Sequence, residues 1–198
     1  MDRDESPFES HEVAMTGLEQ GHLAELVLRD CRVPKTNILG EPGKAHAALT
    51  FAWLGNRANV GLAAVHLARR ALDASVAYAK ERRQFGKPIG SFQLVQEMLA
   101  EMATLTDSSR LLCYRALALL DRGRWCHLES SMAKAHATEA ALRVTHLAIQ
   151  LHGSYGLTKE LPLERWARDA RMLTMPDGTT QIHQLIIGRE LLGVRAFA

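Results

Sequence analysis

After about residue 45 the sequence repeats apolar residues at steps of three and four, and this spacing constrains the fold more than any other feature. One face of a first predicted helix carries Val60, Ala64, Leu67, Ala68, Leu72 and Val76. Apolar residues with this period line one side of an α-helix, and another element must cover that side. We expect this helix to end near Arg83, before the breaking sequence at 86–90.

A second long helix is predicted after Ser91, which is a favourable N-cap residue. Its apolar stripe consists of Leu94, Val95, Met98, Leu99, Met102 and Leu105. The sequence Asp121-Arg122-Gly123 stops it. A third helix, at about residues 129–150, is rich in alanine, so it can approach its neighbours closely before Gly153 and Gly156 end it.

Two shorter helices are expected at about residues 162–173 and 179–192, on either side of a proline- and glycine-containing turn. Short loops between long helices favour antiparallel neighbours. The fold class is therefore predicted to be all-α. We expect an up-down four-helix bundle with an additional short helix, and a short β segment before it.

The first 44 residues differ from the rest. Leu26-Val27-Leu28 and Cys31-Arg32-Val33 are typical of a strand with a break. One hairpin is not stable alone in water, so this piece must pack on the helices or on another chain. We expect residues 23–33 to present an unpaired strand edge, which invites association.

Composition narrows the possible functions. The 198 residues carry a net charge of +2 and 23% charged residues, which favours neither nucleic acid nor a membrane surface as a partner. We expect no membrane span, no signal peptide and a cytoplasmic location. The three cysteines lack a CxxC pair and are expected to be reduced. Nine histidines show no spacing typical of a bundle metal site, so no metal is expected.

Three short segments could carry chemistry, and each also has a plain structural interpretation. The cations of 80–87 either compensate a helix C-terminus or bind a diphosphate beside Phe85. Residues 150–156 form either a glycine C-cap or a close approach of a ligand to the backbone. Residues 175–181 contain either a helix N-cap, at Asp177 or Thr179, or a general base at Asp177.

Taken in order, these segments resemble the C-terminal half of an acyl-CoA dehydrogenase, and the resemblance covers nearly the whole chain. The matching motifs are Val33-Pro34, Asn37-Ile38-Leu39-Gly40, Asn56-Arg57, Arg83-Gln84-Phe85-Gly86-Lys87-Pro88-Ile89, Gln93, Leu99-Ala100-Glu101-Met102, Met132-Ala133-Lys134, Gln150-Leu151-His152-Gly153, Arg168-Asp169-Ala170 and Gly178-Thr179-Thr180-Gln181-Ile182.

The resemblance implies two parts and one cofactor. Residues 1–44 correspond to a remnant of the middle β-domain and residues 45–198 to the C-terminal helical bundle domain. Members of this family bind FAD non-covalently, form dimers or tetramers, and dehydrogenate the α,β bond of an acyl thioester. The thioester is carried by CoA or by a carrier protein.

The same resemblance assigns roles to individual residues. Asp177 falls at the position of the catalytic base, and Arg57 at that of an arginine near the substrate. The expected FAD contacts are Arg82, Gln84, Phe85, Gln93, Gln150, Gly153, Thr179 and Gln181. His183 has no assigned role.

Two departures from the family pattern leave alternatives open. Where many members have glutamate, this chain has Asp177, whose oxygens reach about 1.5 Å less. The N-terminal helical domain and most of the β-domain have no counterpart, so a separate chain could supply them. The functional hypotheses are a flavin-dependent dehydrogenase or its C-terminal part, a non-catalytic assembly subunit that completes a partner's FAD site, and a helical protein that has lost the flavin.

Overall fold

The computed structural model describes residue 4 and residues 6–194, and five helices dominate it. They are α1 (Ala45–Glu81), α2 (Gln93–Asp121), α3 (His127–His152), α4 (Leu163–Leu173) and α5 (Thr180–Leu192). The all-α prediction is confirmed. The boundaries of α1, α4 and α5 lie within two residues of those expected, and α3 begins two residues earlier than expected.

Contacts between side chains give the directions of the helices. Residues near the starts of α1 and α3 meet at Arg57 and His127, and residues near their ends meet at Tyr78 and His152, so these two helices run parallel. The helix α2 runs opposite to α3, because Glu101 near its start binds Arg143 near the end of α3. Together with α5 they form the predicted up-down bundle, and α4 is the additional short helix.

Small residues allow the three long helices to approach one another closely. Alanines are fully buried along the length of α1 and α3, including Ala64, Ala71, Ala133 and Ala141. A Cβ on Gly61 of α1 would lie 2.7 Å from the Cys113 sulfur of α2, which is closer than atoms can pack. The core therefore depends on short side chains at the helix crossings, as the alanine-rich sequence indicates.

The start of α2 corrects one prediction. Ser91 does not cap the helix: its hydroxyl donates to the Pro88 carbonyl within a 3-10 turn at Ile89–Ser91. The helix begins two residues later, after the extended Phe92, and has no side-chain cap. Leu94, the first residue of the predicted stripe, is 73% exposed and lies outside the core. The proline and two glycines before it allow a local turn that competes with the cap.

Two small antiparallel hairpins complete the fold. Strand β1 (Glu9–Glu12) pairs with β2 (Ala24–Val27), and β3 (Arg83–Gln84) pairs with β4 (Lys87–Pro88). The prediction of an unpaired strand edge is therefore wrong for one side of β2, because β1 pairs with that side. The predicted strand at 31–33 is also wrong, because no strand forms there.

The loop between β1 and β2 attaches the first hairpin to α4. The Leu18 amide donates to an Asp169 carboxylate oxygen at 2.6 Å, and Glu19 pairs with Arg168. A Cβ on Gly17 would overlap the Arg168 carbonyl, so this position requires glycine. The hairpin thus finds part of its support on the helical bundle of the same chain.

The three cysteines form no disulfide with one another. Cys113 and Cys126 are buried, and burial raises the pKa of Cys113 to about 11. In the part of the chain that the structure describes, no helix is long and apolar enough to cross a membrane.

Candidate functional site at the turn between α4 and α5

Asp177 lies in the turn between α4 and α5, in an unusual backbone conformation. Its φ is +55° and that of Gly178 is +110°. Aspartate tolerates the left-handed region better than most residues, whereas φ near +110° is suited to glycine. Thr179 then caps α5, because its hydroxyl accepts a hydrogen bond from the Ile182 amide. Thr179 is thus the N-cap residue, and the Asp177 carboxylate is directed elsewhere.

The Asp177 carboxylate meets α1. The side-chain amide of Asn56 donates to its Oδ2 at 2.5 Å, which joins two groups 121 residues apart in the sequence. Its neighbour in sequence, Arg57, is buried, and this burial lowers the Arg57 pKa, while the Asp177 charge acts in the opposite direction. The carboxylate therefore lies in an environment with a fixed donor and a nearby positive charge.

A second buried cation comes from α3. Lys134 is fully buried, and its ammonium group donates to the carbonyls of Thr174 at 2.8 Å and Gly178 at 2.7 Å. Burial lowers the Lys134 pKa to about 8, while the charges of Asp177 and Glu139 act in the opposite direction. The lysine and the carboxylate thus attract each other within a poorly solvated region.

Two buried histidines adjoin the same cations. The His127 ring lies 3.4 Å from the Arg57 guanidinium, and burial followed by the Arg57 charge lowers the His127 pKa. His183 is also fully buried; burial first, then the charges of Lys134 and Arg57, lowers its pKa to about 4. Both rings are therefore neutral near pH 7 and add no charge to the cluster.

Several buried polar atoms at this end have no protein partner of normal geometry. Within the described residues they are both ring nitrogens of His183, the Arg57 Nε and the Ser131 hydroxyl. The His183 ring lies against Gly178, where a Cβ would be only 3.2 Å from it. Buried polar groups usually have a partner, so this region suits water or the polar part of a ligand.

The residues expected to contact the FAD diphosphate lie at the opposite end of α1. Arg82 follows the helix, Gln84 belongs to β3, and Phe85 forms the tip of the second hairpin with φ +52°. Phe85 is 92% exposed and touches Phe92 edge to face. The exposed side chains of Arg82 and Gln84 form no hydrogen bond or ion pair with any residue described in the structure.

Gln93, Gln150 and Gly153 lie at the same end of the bundle as that hairpin. Gln93 opens α2 just after the 3-10 turn that follows the hairpin. Gln150 and Gly153 end α3, whose His152 stacks on Tyr78 with 4.2 Å between the ring centroids. Both glutamine side chains are exposed and unpaired within the described residues, and Gly153 has φ +63° with open space around it. Free amides and an open backbone fit a nucleotide ligand.

The two groups of residues do not converge within one chain. Asn56 lies in α1, and Arg82 directly follows the end of this continuous helix. Their separation of 26 residues corresponds to about 39 Å. Thr179 and Gln181 lie at the Asp177 end, whereas the other six residues expected to bind FAD lie at the hairpin end. A single site that uses both groups therefore needs a second protein surface.

Sequence reasoning did not assign the roles of Asn56, Lys134 and His183 in this cluster. One signal was available for Lys134, which stands between two alanines in a helix rich in small residues. A lysine is rarely buried without a dedicated partner, so such a position indicates specific acceptors. Asn56 and His183 carry no comparable local signal, because their contacts depend on how three helices meet.

Comparison with known proteins identifies the family of the chain. The family "Acyl-CoA dehydrogenase, C-terminal domain" matches residues 47–192. The chain is 44% identical over 176 residues to acryloyl-CoA reductase (NADH) of Anaerotignum propionicum. This aligned region covers 89% of this chain and 45% of that protein.

Solved structures give the same result. A glutaryl-coenzyme A dehydrogenase in complex with glutaryl-CoA superposes with a TM-score of 0.94 and 38% identity, over 98% of this chain and 50% of that one. The prolyl acyl carrier protein oxidase AnaB superposes with a TM-score of 0.94 and 30% identity, over 97% of this chain and 51% of that one. The chain spans about half the length of the relatives it matches. The acyl-CoA dehydrogenases to which it is similar are FAD-dependent flavoproteins, and the chain belongs to the acyl-CoA dehydrogenase family, whose C-terminal domain it contains.

Proposed function

We propose that the chain is the C-terminal part of a flavin-dependent oxidoreductase that dehydrogenates the α,β bond of an acyl thioester. In this proposal Asp177 is the base that accepts the α-proton. The observation that carries it is the Asp177 carboxylate, which is held by Asn56 on a turn bounded by two buried cations. A positioned carboxylate of this kind is suited to general base catalysis.

The protein's own groups divide the work as follows. Asn56 engages Oδ2 of Asp177 and leaves Oδ1 for the substrate α-proton. Arg57 and Lys134 place positive charge near the Asp177 carboxylate. FAD, when bound, supplies the acceptor for the hydride that leaves the β-carbon. In the reverse direction, which the name of the acryloyl-CoA reductase implies for that relative, the protonated Asp177 would return the proton.

The residues proposed to bind FAD have suitable chemistry for the cofactor, but they lie at two separate ends of the bundle. At the hairpin end Arg82, Gln84 and Phe85 offer a guanidinium, an amide and an exposed ring, which suit a diphosphate and a flat heterocycle. Because these residues lie about 39 Å along α1 from Asn56, we infer that the hairpin of one copy completes the site of another. Self-association as a dimer or tetramer is therefore part of the proposal.

The substrate is proposed to be an acyl thioester of CoA or of a carrier protein. Relatives with each type of carrier are similar over nearly the whole chain. Arg57 is the candidate substrate residue, since its buried guanidinium has an unpaired Nε. The remaining half of a typical family member would come from additional chain or from a separate protein, and the activity is proposed for that complete assembly in the cytoplasm.

The visible spectrum and the variant Asp177→Asn test this function. The assembly purified with FAD should show flavin bands, and acyl-CoA should bleach them. Asp177→Asn should keep the bands but reduce the rate of bleaching by at least about 10³-fold, because the amide is not a base. Asp73→Asn, which changes an exposed aspartate on α1, is the matched control and should leave the rate unchanged.

The other hypotheses give different results. A non-catalytic assembly subunit would retain flavin only with a partner chain, and Asp177→Asn would leave turnover intact. A protein that has lost the flavin would show no bands under any condition. The exposed side chains of Arg82 and Gln84, which form no hydrogen bond or ion pair with the described residues, favour the assembly role over the flavin-free one, since they are available to contact a second protein.

A further inference from the structure

Lys134 is a costly residue in its position. It is the largest fully buried side chain in the described part of the chain, and its neighbours one turn away on α3 are small: Ser130, Ser131, Ala137 and Thr138. Removing an ammonium group from water is unfavourable unless hydrogen bonds replace the lost hydration. The chain provides those bonds with two backbone carbonyls and no carboxylate.

The two carbonyls stand on either side of Asp177. Thr174 is the C-cap residue of α4, and Gly178 is the last residue before the cap of α5. One ammonium nitrogen therefore ties together two points four residues apart in the chain. The Thr174 carbonyl also belongs to a helix C-terminus, where unpaired carbonyls favour a cation.

The segment between these points needs such support. Asp177 and Gly178 both have positive φ, which is an unfavourable conformation for the aspartate and restricts the next position to glycine. The Asn56 hydrogen bond fixes the Asp177 side chain, and the Thr179 cap fixes the start of α5. Neither reaches the Thr174 carbonyl on the α4 side, to which Lys134 donates a hydrogen bond while it also donates to the Gly178 carbonyl at the end of the turn.

We propose that Lys134 is a positioning residue that clamps the 174–178 turn through its two carbonyls and thereby sets the place of the Asp177 carboxylate. Lys134 does not touch the reacting atoms in this arrangement; it acts through the backbone that carries Asp177. The consequence for catalysis rests on the proposed function, whereas the clamp itself is a property of this chain.

Hydrogen–deuterium exchange tests the clamp without any cofactor. The amides of Thr174, Met175 and His183 are hydrogen-bonded around the turn, so they report its opening. In Lys134→Met, exchange in a peptide covering residues 172–183 should be at least about tenfold faster, while peptides from α1 and α2 stay unchanged. Lys159→Met, which removes an exposed lysine, should match the unmodified chain.

Two results would overturn the clamp. One is unchanged exchange at 172–183 in Lys134→Met, and the other is faster exchange of equal size throughout the bundle. If Lys134→Met does not fold, Lys134→Gln supplies the same comparison with a shorter neutral donor. Lys134→Arg keeps the charge and several donors, so it should restore part of the protection.

Kinetics of the FAD-loaded assembly then tests the catalytic consequence. Lys134→Met should lower the rate of flavin reduction by about tenfold or more and change KM by less than about twofold, since a displaced base affects the transition state more than binding. A loss of the same size in kcat/KM that comes from a higher KM alone would contradict this prediction. If Asp177→Asn retains full turnover, the proposed function fails, but the exchange experiment still decides whether Lys134 clamps the turn.

Discussion

The two ends of the bundle differ in how far this chain completes them. At the Asp177 end, the functional groups are mostly buried and bound to one another across α1, α3 and the α4–α5 turn. At the hairpin end, the candidate side chains are exposed, and their polar groups form no hydrogen bond or ion pair within the described residues. The first end is organised by the chain's own contacts. The second presents donors and an aromatic ring on the outside of the described chain.

The difference follows from burial. A charged group inside the fold has to find partners during folding, so its position is fixed with the core. A charged or aromatic group on a surface hairpin remains free and becomes fixed only when a ligand or protein covers it. We therefore expect substitutions at the Asp177 end to change stability and those at the hairpin end to change association.

Two glycines with positive φ provide the sharpest comparison. Gly178 has φ +110°, and a Cβ there would press on the His183 ring at 3.2 Å. Gly86, at the tip of the second hairpin, has φ +77° and open space around it. We expect Gly178→Ala to cost about 4 kcal/mol of unfolding free energy, from strain plus overpacking, and Gly86→Ala about 1 kcal/mol.

Urea unfolding of the two alanine variants measures this difference. Gly188→Ala in α5, where a Cβ meets nothing within 4 Å, is the control and should be neutral or slightly stabilising. Equal losses for Gly178→Ala and Gly86→Ala would mean that the two ends are equally rigid, and the comparison would fail.

The buried His183 makes the Asp177 end sensitive to acid. Its pKa of about 4 in the folded chain lies below the ordinary value of 6.5, because burial and two nearby cations disfavour the charged ring. The unfolded chain binds a proton between these values and the folded chain does not, so stability is lost as the pH falls from 6.5 toward 4. At 1.36 kcal/mol for each pH unit, the loss is at most about 3 kcal/mol.

The variant His183→Leu removes this contribution. Its unfolding free energy, minus that of the unmodified chain, should rise by up to about 3 kcal/mol as the pH is lowered from 7 to 4. Other groups titrate equally in both proteins and cancel in the difference. A difference that stays constant with pH would show that His183 binds its proton equally in the folded and unfolded chain, and the buried, poorly solvated character of this end would be wrong.

The sequence predicted the helices better than the contacts between them. Long apolar stripes fix where α1, α2 and α3 lie, because burying them dominates the local choice. The Ser91 cap failed because a residue with good cap propensity also bonds to a preceding carbonyl in a turn. Pairing of the first hairpin was missed because β1 consists of exposed residues with no apolar alternation.

The candidate site was predictable only where the resemblance named residues. Asp177 was identified in this way, but its partner Asn56 lies 121 residues earlier, and no local pattern connects them. The separation of the two ends follows from the length of α1, which the sequence predicted closely. The residues at the two ends cannot meet within one chain. This conclusion depends on the directions of α1 and α3, which the periodicity of the sequence does not reveal.

Phe85 gives the smallest effect on stability and tests the hairpin end directly. Its ring is 92% exposed, with one edge contact to Phe92. Phe85→Ala should change the unfolding free energy of the isolated chain by less than about 0.5 kcal/mol. Phe92→Ala is the matched control and should cost more, because that ring is half-buried and lies 4.3 Å from the Lys87 ammonium.

Sedimentation equilibrium should show weaker self-association for Phe85→Ala, since an exposed aromatic ring is a typical anchor of an interface. A loss of more than about 1 kcal/mol in the isolated chain, with association unchanged, would place Phe85 in this chain's own core and remove the distinction between the two ends.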